Sequence, residues 1–437
     1  MMSLPSGVEA GMARDETVGW RARPRSPDAE RYAAQARDAG RLLIRQVDAI
    51  LPELAARRAE TDAAGCLSQT SVDALRGSGI MRALTPRQWG GMEVDPVSFY
   101  EAVIRIASAC PSSGWVGGIL NVHSWQVALM DPAFQAEFWR DSPDACASSA
   151  YAPTGAVQRA PGGFLLSGRW HFSSGVDVSD WAIVGAVIPD GEGGKPEFRS
   201  FAVAKADLAV DDASWDVAGM KGTGSKSLVM QNAFVPEHRT HRVIDEYADT
   251  NPGYTVNDRP LYRFGRMGIF WTTIACVAVG AATGGLNAFL DDTRVRVNRL
   301  GTGTPVAENP FLQLRLANGL LRVEGVRQRL GLTWNAIYDR CCQGEPPSRL
   351  QRVRARFEAA DANAASFEGF AEVYANAGGS AAAMRNPLQL FFRDLMTMRN
   401  HGTAAREQLA TVYMQALLGQ EPPPFDQSVM HTLLYHG

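Results

Sequence analysis

Arg169-Trp170-His171-Phe172-Ser173-Ser174-Gly175-Val176-Asp177-Val178-Ser179-Asp180-Trp181 alternates aromatic and small polar residues. The alternation reads as the end of a β-strand, and Gly175 supplies the turn that closes it. Taken alone, the stretch reads first as an ordinary strand end with a Ser-Gly turn. It also suits a pocket wall, because aromatic faces cover a flat ring system while the Ser173 and Ser174 hydroxyls bond its heteroatoms. Its neighbours in the chain decide between the two.

Working outward, short β-rich runs separated by Gly, Pro and Asp occupy Ser148–Ala152, Gly163–Phe172, Trp181–Ile188, Ser200–Ala204 and Lys226–Phe234. Both flanks change to helical periodicity. Upstream, Leu42, Leu43, Val47, Ile50, Leu51 and Leu54 form one apolar stripe, and Asp95-Pro96 and Asp131-Pro132 are helix-start signals. Downstream, helices are expected over Gly268–Leu290, Leu312–Cys342, Arg349–Ala375 and Pro387–Leu418. The chain is thus α+β in the order helical, β, helical: a tail over 1–28, a helical domain over 29–146, a β domain over 147–245 and a helical unit over 246–437.

Composition narrows the partners. The 437 residues carry 43 basic and 46 acidic side chains, a formal charge of -3, which offers no field for nucleic acid or an anionic membrane. Six cysteines, at 66, 110, 146, 276, 341 and 342, have no metal-ligand spacing and fit a reducing cytoplasm. The first 28 residues lack the apolar run of a signal peptide and read as a mobile tail. Met267 to Leu290 is free of charge and long enough to raise a membrane span. Its many Gly, Ala and Thr residues point instead to a helix buried on all sides of a large assembly.

The residues at the joints of this pattern are Gln88-Trp89-Gly90-Gly91, Ser113-Gly114-Trp115, Val122-His123-Ser124-Trp125, Ser148-Ser149-Ala150-Tyr151-Ala152-Pro153, Phe172-Ser173-Ser174-Gly175, Gly219 to Ser225, Phe234-Val235-Pro236 and Phe392-Arg393-Asp394. In that order they resemble the acyl-CoA dehydrogenase fold. Within it they are most similar to the two-component flavin-dependent monooxygenases, such as the oxygenase component of 4-hydroxyphenylacetate hydroxylase and the steroid-degrading phenol hydroxylases. The resemblance covers nearly everything after residue 30. It implies a central β-barrel between an N-terminal helical domain and a C-terminal four-helix bundle that builds a homotetramer. It also implies hydroxylation of a phenolic or polycyclic aromatic substrate through a C4a-hydroperoxyflavin. The reduced FMN or FAD would come from a separate NAD(P)H:flavin reductase, and O2 is the co-substrate. No Rossmann GxGxxG follows a strand, and Gly222-Thr223-Gly224-Ser225 lacks a Walker ending, so nothing indicates a nicotinamide site in this chain.

The resemblance also assigns residues. Dehydrogenases of this fold commonly carry a catalytic glutamate shortly after the Arg-Asp pair, whereas here Asn400-His401-Gly402-Thr403 follows Arg393-Asp394. A phenol ionises near pH 10, about as tyrosine does. An imidazole in that place suits the removal of its proton. His401 is therefore the candidate base, or else a capping residue at a helix kink. His123 and Ser149 are candidates for orienting the substrate, and a core histidine and a backbone-bonded strand serine are their structural alternatives. Ser174, with Ser173 close behind, would hydrogen-bond flavin N5, while Phe172 and Trp170 shield the ring and Trp115 completes the flavin contacts. Arg294 and Arg296 would clamp the flavin phosphate, unless they only solvate a helix. Gly378 and Gly379 would approach the cofactor of a neighbouring subunit or simply stop a helix. Arg263 and Arg266 would meet an acidic substrate or mark the end of the buried helix. One departure from the steroid hydroxylase pattern is Val178, where a histidine is expected. Two other chemistries stay open on this fold, oxidation of nitrogen or sulfur and acyl-CoA dehydrogenase-type desaturation, as does a role in binding alone.

Overall fold

The computed structural model describes residues 26–189, 196–297 and 303–420. The expected tail therefore lies almost wholly outside the described residues. Helix α1 (Pro27–Ala64) starts at Ser26, whose side chain accepts from Ala29 N, and stops at Gly65 with φ +69°. After α2 (Gln69–Gly77), α3 (Pro96–Ala109) and α5 (Pro132–Phe138) begin as the Asp-Pro pairs predict. Asp95 Oδ1 accepts from Ser98 N at 3.0 Å and Asp131 Oδ1 from Ala133 N at 2.8 Å. Between them α4 (Pro111–Val127) is buried along its whole length.

Among the described residues eight strands follow: β1 (Ala147–Ala150), β2 (Ala156–Ala160), β3 (Gly163–Ser173), β4 (Trp181–Ile188), β5 (Glu197–Ala204), β6 (Ala209–Asp211), β7 (Lys226–Pro236) and β8 (Thr240–Arg242). They form two separate four-stranded sheets, β1-β4-β5-β8 and β2-β3-β7-β6. Among the described strands only β1 and β4 pair parallel. The expected barrel is corrected to a sandwich, because a barrel needs a hydrogen-bonded ladder closing the sheet on itself. Here the sheets instead meet face to face around Phe164, Leu166, Trp170, Val184, Phe201 and Leu228. Three strands, β2, β6 and β8, were not legible in the sequence as separate runs.

The first sheet is buried on both sides. Along β4, Ala182 and Val184 face the sandwich core, while Ile183 joins the core shared with the helices. That two-sided burial explains why Trp181 to Ile188 reads as a continuous apolar run rather than an alternating one.

After α6 (Val243–Ala248) the chain enters α7 (Arg266–Val295), α8 (Pro310–Cys342), α9 (Arg349–Tyr374), α10 (Pro387–Arg399) and α11 (Arg406–Leu417). The last expected helix is thus split in two by a short turn at Gly402–Ala404, with His401 at its start. From Gly268 to Val295, α7 is long and apolar enough to cross a membrane, yet 89% of its most apolar window is buried. Its glycines serve packing: a Cβ on Gly280 would lie 2.3 Å from Ile104 O and one on Gly284 2.1 Å from Ser108 O. Side chains there would push α3 away, an overpacking that costs about 1–3 kcal/mol or more. One contiguous apolar core joins α1 to α4 with α7 to α10.

Candidate active site

A cavity of about 350 Å³ opens where the helical core meets the second sheet, within the size range of small-molecule sites. It is lined by Trp115 of α4, Phe172 and Ser174 at the end of β3, Trp215, Met220, Thr223 and Ser225 of the β6–β7 connection, Met398 in the last turn of α10 and His401 just beyond it, among others. The stretch Arg169 to Trp181 thus supplies part of the wall, through Phe172 and Ser174.

A β-bulge aims that wall. The β3–β7 register shifts between Trp170 and Ser173, so the two-residue alternation breaks there. Trp170 points into the sandwich core and donates its indole N–H to Gly185 O at 2.8 Å. It therefore does not shield a cofactor in the cavity. Phe172 is thrown outward with φ +66° and stays 70% exposed, its ring 6.4 Å from Trp215. A left-handed phenylalanine costs on the order of 1–2 kcal/mol, strain of the kind held at functional sites. Ser173 turns inward with no hydrogen-bond partner for its hydroxyl among the described residues.

The floor joins two sequence marks. Met220 N donates to Asp394 Oδ1 at 2.5 Å, and Arg393 reaches both Ala218 O and, at 2.8 Å, Asp62. Gly219 is required by this clamp, since a Cβ there would lie 2.2 Å from Arg393 O. Burial drives the Asp394 carboxyl up to about 7, against the pull of the Met220 N–H and Arg393. Above the floor, Thr223 Oγ1 donates to Met220 O at 2.8 Å, and Ser225 Oγ lies 2.7 Å from both Thr223 Oγ1 and Ser174 Oγ.

His401 forms the facing wall, edge-on to Trp115 with 5.5 Å between ring centroids. Its Nδ1 accepts from Thr403 N at 3.2 Å and lies 3.0 Å from Thr403 Oγ1. It is thus both a cap and a cavity residue. Burial pushes its imidazole down to about 4, so the ring is neutral at physiological pH.

The remaining candidates fall elsewhere. His123 is fully buried, with Nδ1 2.6 Å from Ala147 O and its ring beside Tyr151 and Phe270. Ser149 lies two residues along β1, and neither lines the cavity. Val178 is half-buried against the helical core, also off the cavity. Arg294 is exposed and paired with Asp291 at 2.7 Å. Arg296 bonds Ala377 O and sits beside Gly378, whose φ is +78°. Gly379 begins the short turn that follows. Arg263 is held by Asp258 and, at 3.2 Å, by Asp249, which favours a structural role. The side chain of Arg266 lies outside the described residues. Sequence reasoning gave no role to Trp215, Met220, Thr223 and Ser225. The left-handed backbone of Met220 has no sequence signature, although the glycines around it do.

The lining suits the ring system of a flavin. It has an uncovered aromatic wall, and one buried polar atom of a lining residue, Trp115 Nε1, finds no partner among the described residues. Buried polar groups are normally satisfied, so a bound molecule's heteroatoms are the natural partners here.

Comparison with known proteins agrees with this geometry. Residues 272–406 match the acyl-CoA dehydrogenase C-terminal domain. The chain is 36% identical over 374 residues to a flavin-dependent monooxygenase, oxygenase subunit HsaA, from Rhodococcus jostii (strain RHA1), covering 85% of this chain and 96% of that protein. It is 31% identical to the FADH(2)-dependent resorcinol hydroxylase, oxygenase component, from Rhizobium sp. (strain MTP-10005), covering 83% of this chain and 90% of that one. The crystal structure of 3-HSA hydroxylase from Rhodococcus sp. RHA1 superposes with a TM-score of 0.84 at 34% identity, over 88% of this chain and 98% of the other. With an acyl-CoA dehydrogenase fold and relatives of this extent, the chain belongs to the family of flavin-dependent monooxygenase oxygenase components.

Proposed function

We propose that the protein hydroxylates a phenolic or polycyclic aromatic compound, using O2 and reduced FMN or FAD delivered by a separate NAD(P)H:flavin reductase. The observation that carries this reading is a single cavity holding a neutral imidazole, His401, opposite a buried hydroxyl, Ser174, between the aromatic walls Trp115, Phe172 and Trp215. Reduced flavin and O2 supply an electrophilic oxygen atom and two electrons, so that ArH + O2 + reduced flavin gives ArOH + H2O + oxidised flavin. The chain's own residues do the rest. Phe172 and Trp215 cover the flavin ring, Ser174 meets its N5, and the buried surroundings keep water from N5. His401 accepts the phenol proton through Nε2 in the tautomer that gives up the Thr403 N–H bond and instead donates Nδ1–H to Thr403 Oγ1. The reading rests on His401 and Ser174, not on His123 and Ser149.

Arg296 beside Gly378 supports a second part of the proposal, a phosphate-binding corner for a flavin bound by a neighbouring subunit. The face of α8 supports the homotetramer that this needs. Phe311, Leu314, Leu321 and Leu332 recur along it with exposures of 72, 60, 69 and 70%. A coiled-coil-like spacing of this kind is a self-association surface. The six free thiols suit a reducing cytoplasm.

The test supplies chemically reduced FMN or FAD, with no reductase, to the protein and a panel of phenols under ¹⁸O2. One labelled oxygen in the product supports the proposal. Flavin reoxidation with no labelled product across the panel rejects it.

A further inference from the structure

We infer that Thr223 and Ser225 are positioning residues that make Ser174 a hydrogen-bond acceptor, so that the cavity discriminates reduced from oxidised flavin. This rests on the proposed contact between Ser174 and flavin N5.

The inference comes from counting protons. Thr223 Oγ1 lies 2.8 Å from Met220 O, and a carbonyl only accepts, so the single Thr223 hydroxyl proton goes there. The 2.7 Å contact between Thr223 and Ser225 then needs the Ser225 proton. With that proton spent, the 2.7 Å contact between Ser225 and Ser174 needs the Ser174 proton. Ser174 is left with lone pairs and no hydrogen to offer to the cavity. The polarity holds because its anchor is rigid: the peptide of Met220 is tied at its N–H to Asp394, and Gly175 N donates to Thr223 O at 2.8 Å. All three hydroxyl residues are at least nine-tenths buried, which limits rescue by water.

Flavin N5 changes role with redox state. In the two-electron-reduced ring it carries hydrogen and donates, whereas in the oxidised ring it is a bare acceptor. An acceptor-only Ser174 bonds the first and sets lone pair against lone pair with the second. The relay therefore favours the reduced cofactor arriving from a reductase and helps to expel the oxidised product.

The experiment measures equilibrium dissociation constants for oxidised and, anaerobically, reduced FMN and FAD. The proteins are the full-length wild type and Ser225→Ala, Thr223→Val and Ser174→Ala, each checked for a cooperative thermal transition. The wild type is expected to bind the reduced form more tightly. Ser225→Ala frees the Ser174 proton for oxidised N5 and lowers the ratio of oxidised to reduced Kd by about tenfold, the scale of one hydrogen bond. Thr223→Val, nearly isosteric, lowers it in the same direction and decides the matter if Ser225→Ala does not fold. A ratio within twofold of wild type in both, while Ser174→Ala lowers it, overturns the relay and leaves the Ser174–N5 contact standing. An unchanged ratio in Ser174→Ala overturns that contact itself.

Discussion

Replacing His401 by asparagine tests the proposed chemistry at its base. The phenol proton has a pKa of about 10, and burial holds His401 at about 4. Full transfer before reaction is uphill by about 6 units, or about 8 kcal/mol. An ion pair at ~4 Å and an effective dielectric of ~20 returns about 4 kcal/mol. Only about one bound phenol in a thousand is then ionised in advance. His401 must take the proton as the C–O bond forms, when the ring turns cationic and its hydroxyl becomes strongly acidic. A base of low pKa suffices at that moment. Single-turnover hydroxylation by the wild type, with product and hydrogen peroxide both quantified, should show no inflection near pH 6.5, because the imidazole is already neutral. His401→Asn should lose about 10²- to 10⁴-fold in hydroxylation and release peroxide instead. Its residual rate should climb about tenfold per pH unit towards the phenol's own pKa of ~10, since solvent must ionise the substrate. Thr403→Val should behave similarly, because the Thr403 N–H then keeps Nδ1 an acceptor and the proton stays on Nε2, while Thr403→Ser should resemble the wild type. A His401-dependent inflection near 6.5, or a His401→Asn rate within threefold of wild type, would refute the reasoning.

Two further outcomes follow from the same structure. Asp394 holds its proton up to about 7 in the fold, whereas an unfolded aspartate loses it near ~3.9. The folded state therefore binds more protons between these values, and stability falls as pH rises through that window, by up to on the order of 4 kcal/mol. Asp394→Asn, which still accepts from Met220 N, should flatten this fall, so melting curves of both proteins at pH 5 and pH 8 that shift in parallel would reject it. Leu321→Asp, on the exposed stripe of α8, should lower the oligomeric mass measured by light scattering, and an unchanged mass would remove that face from the assembly.

The sequence was most legible where one physical requirement dominates a residue's choice. Asp95-Pro96 and Asp131-Pro132 announce helix starts because capping and a fixed φ act locally. The α7 segment announces burial because no charge interrupts it. Short edge strands are different. Ala209–Asp211 and Thr240–Arg242 are three residues each, and they owe their conformation to partners on β7 and β5 rather than to their own pattern. The same holds for barrel against sandwich, since closure depends on pairings between distant edges that local alternation does not encode. In the site, the family resemblance pointed to His401 and Ser174, which both line the cavity. It could not separate Phe172, aimed outward by the bulge, from Trp170, which lies inward, because the bulge inverts the alternation after Trp170.

The glycine-rich run from Gly219 to Ser225 shows how a weak motif becomes a mechanism. Its glycines have steric duties: Gly219 lies against Arg393, Gly222 against Thr61 and Ser112, and Gly224 adopts φ +53° beside Asp177. These contacts come from α10, α1, α4 and the turn after β3, so the run is fitted to all of them at once. The carbonyl of Met220 is consequently anchored from several directions, and the three hydroxyls above it inherit that orientation. A loop with ordinary backbone freedom would let the serines rotate and offer a proton to the cavity. Glycines selected for close packing thus set which hydrogen-bonding sense Ser174 presents, which is why Gly224→Ala should disturb flavin selectivity although Gly224 carries no polar side chain of its own.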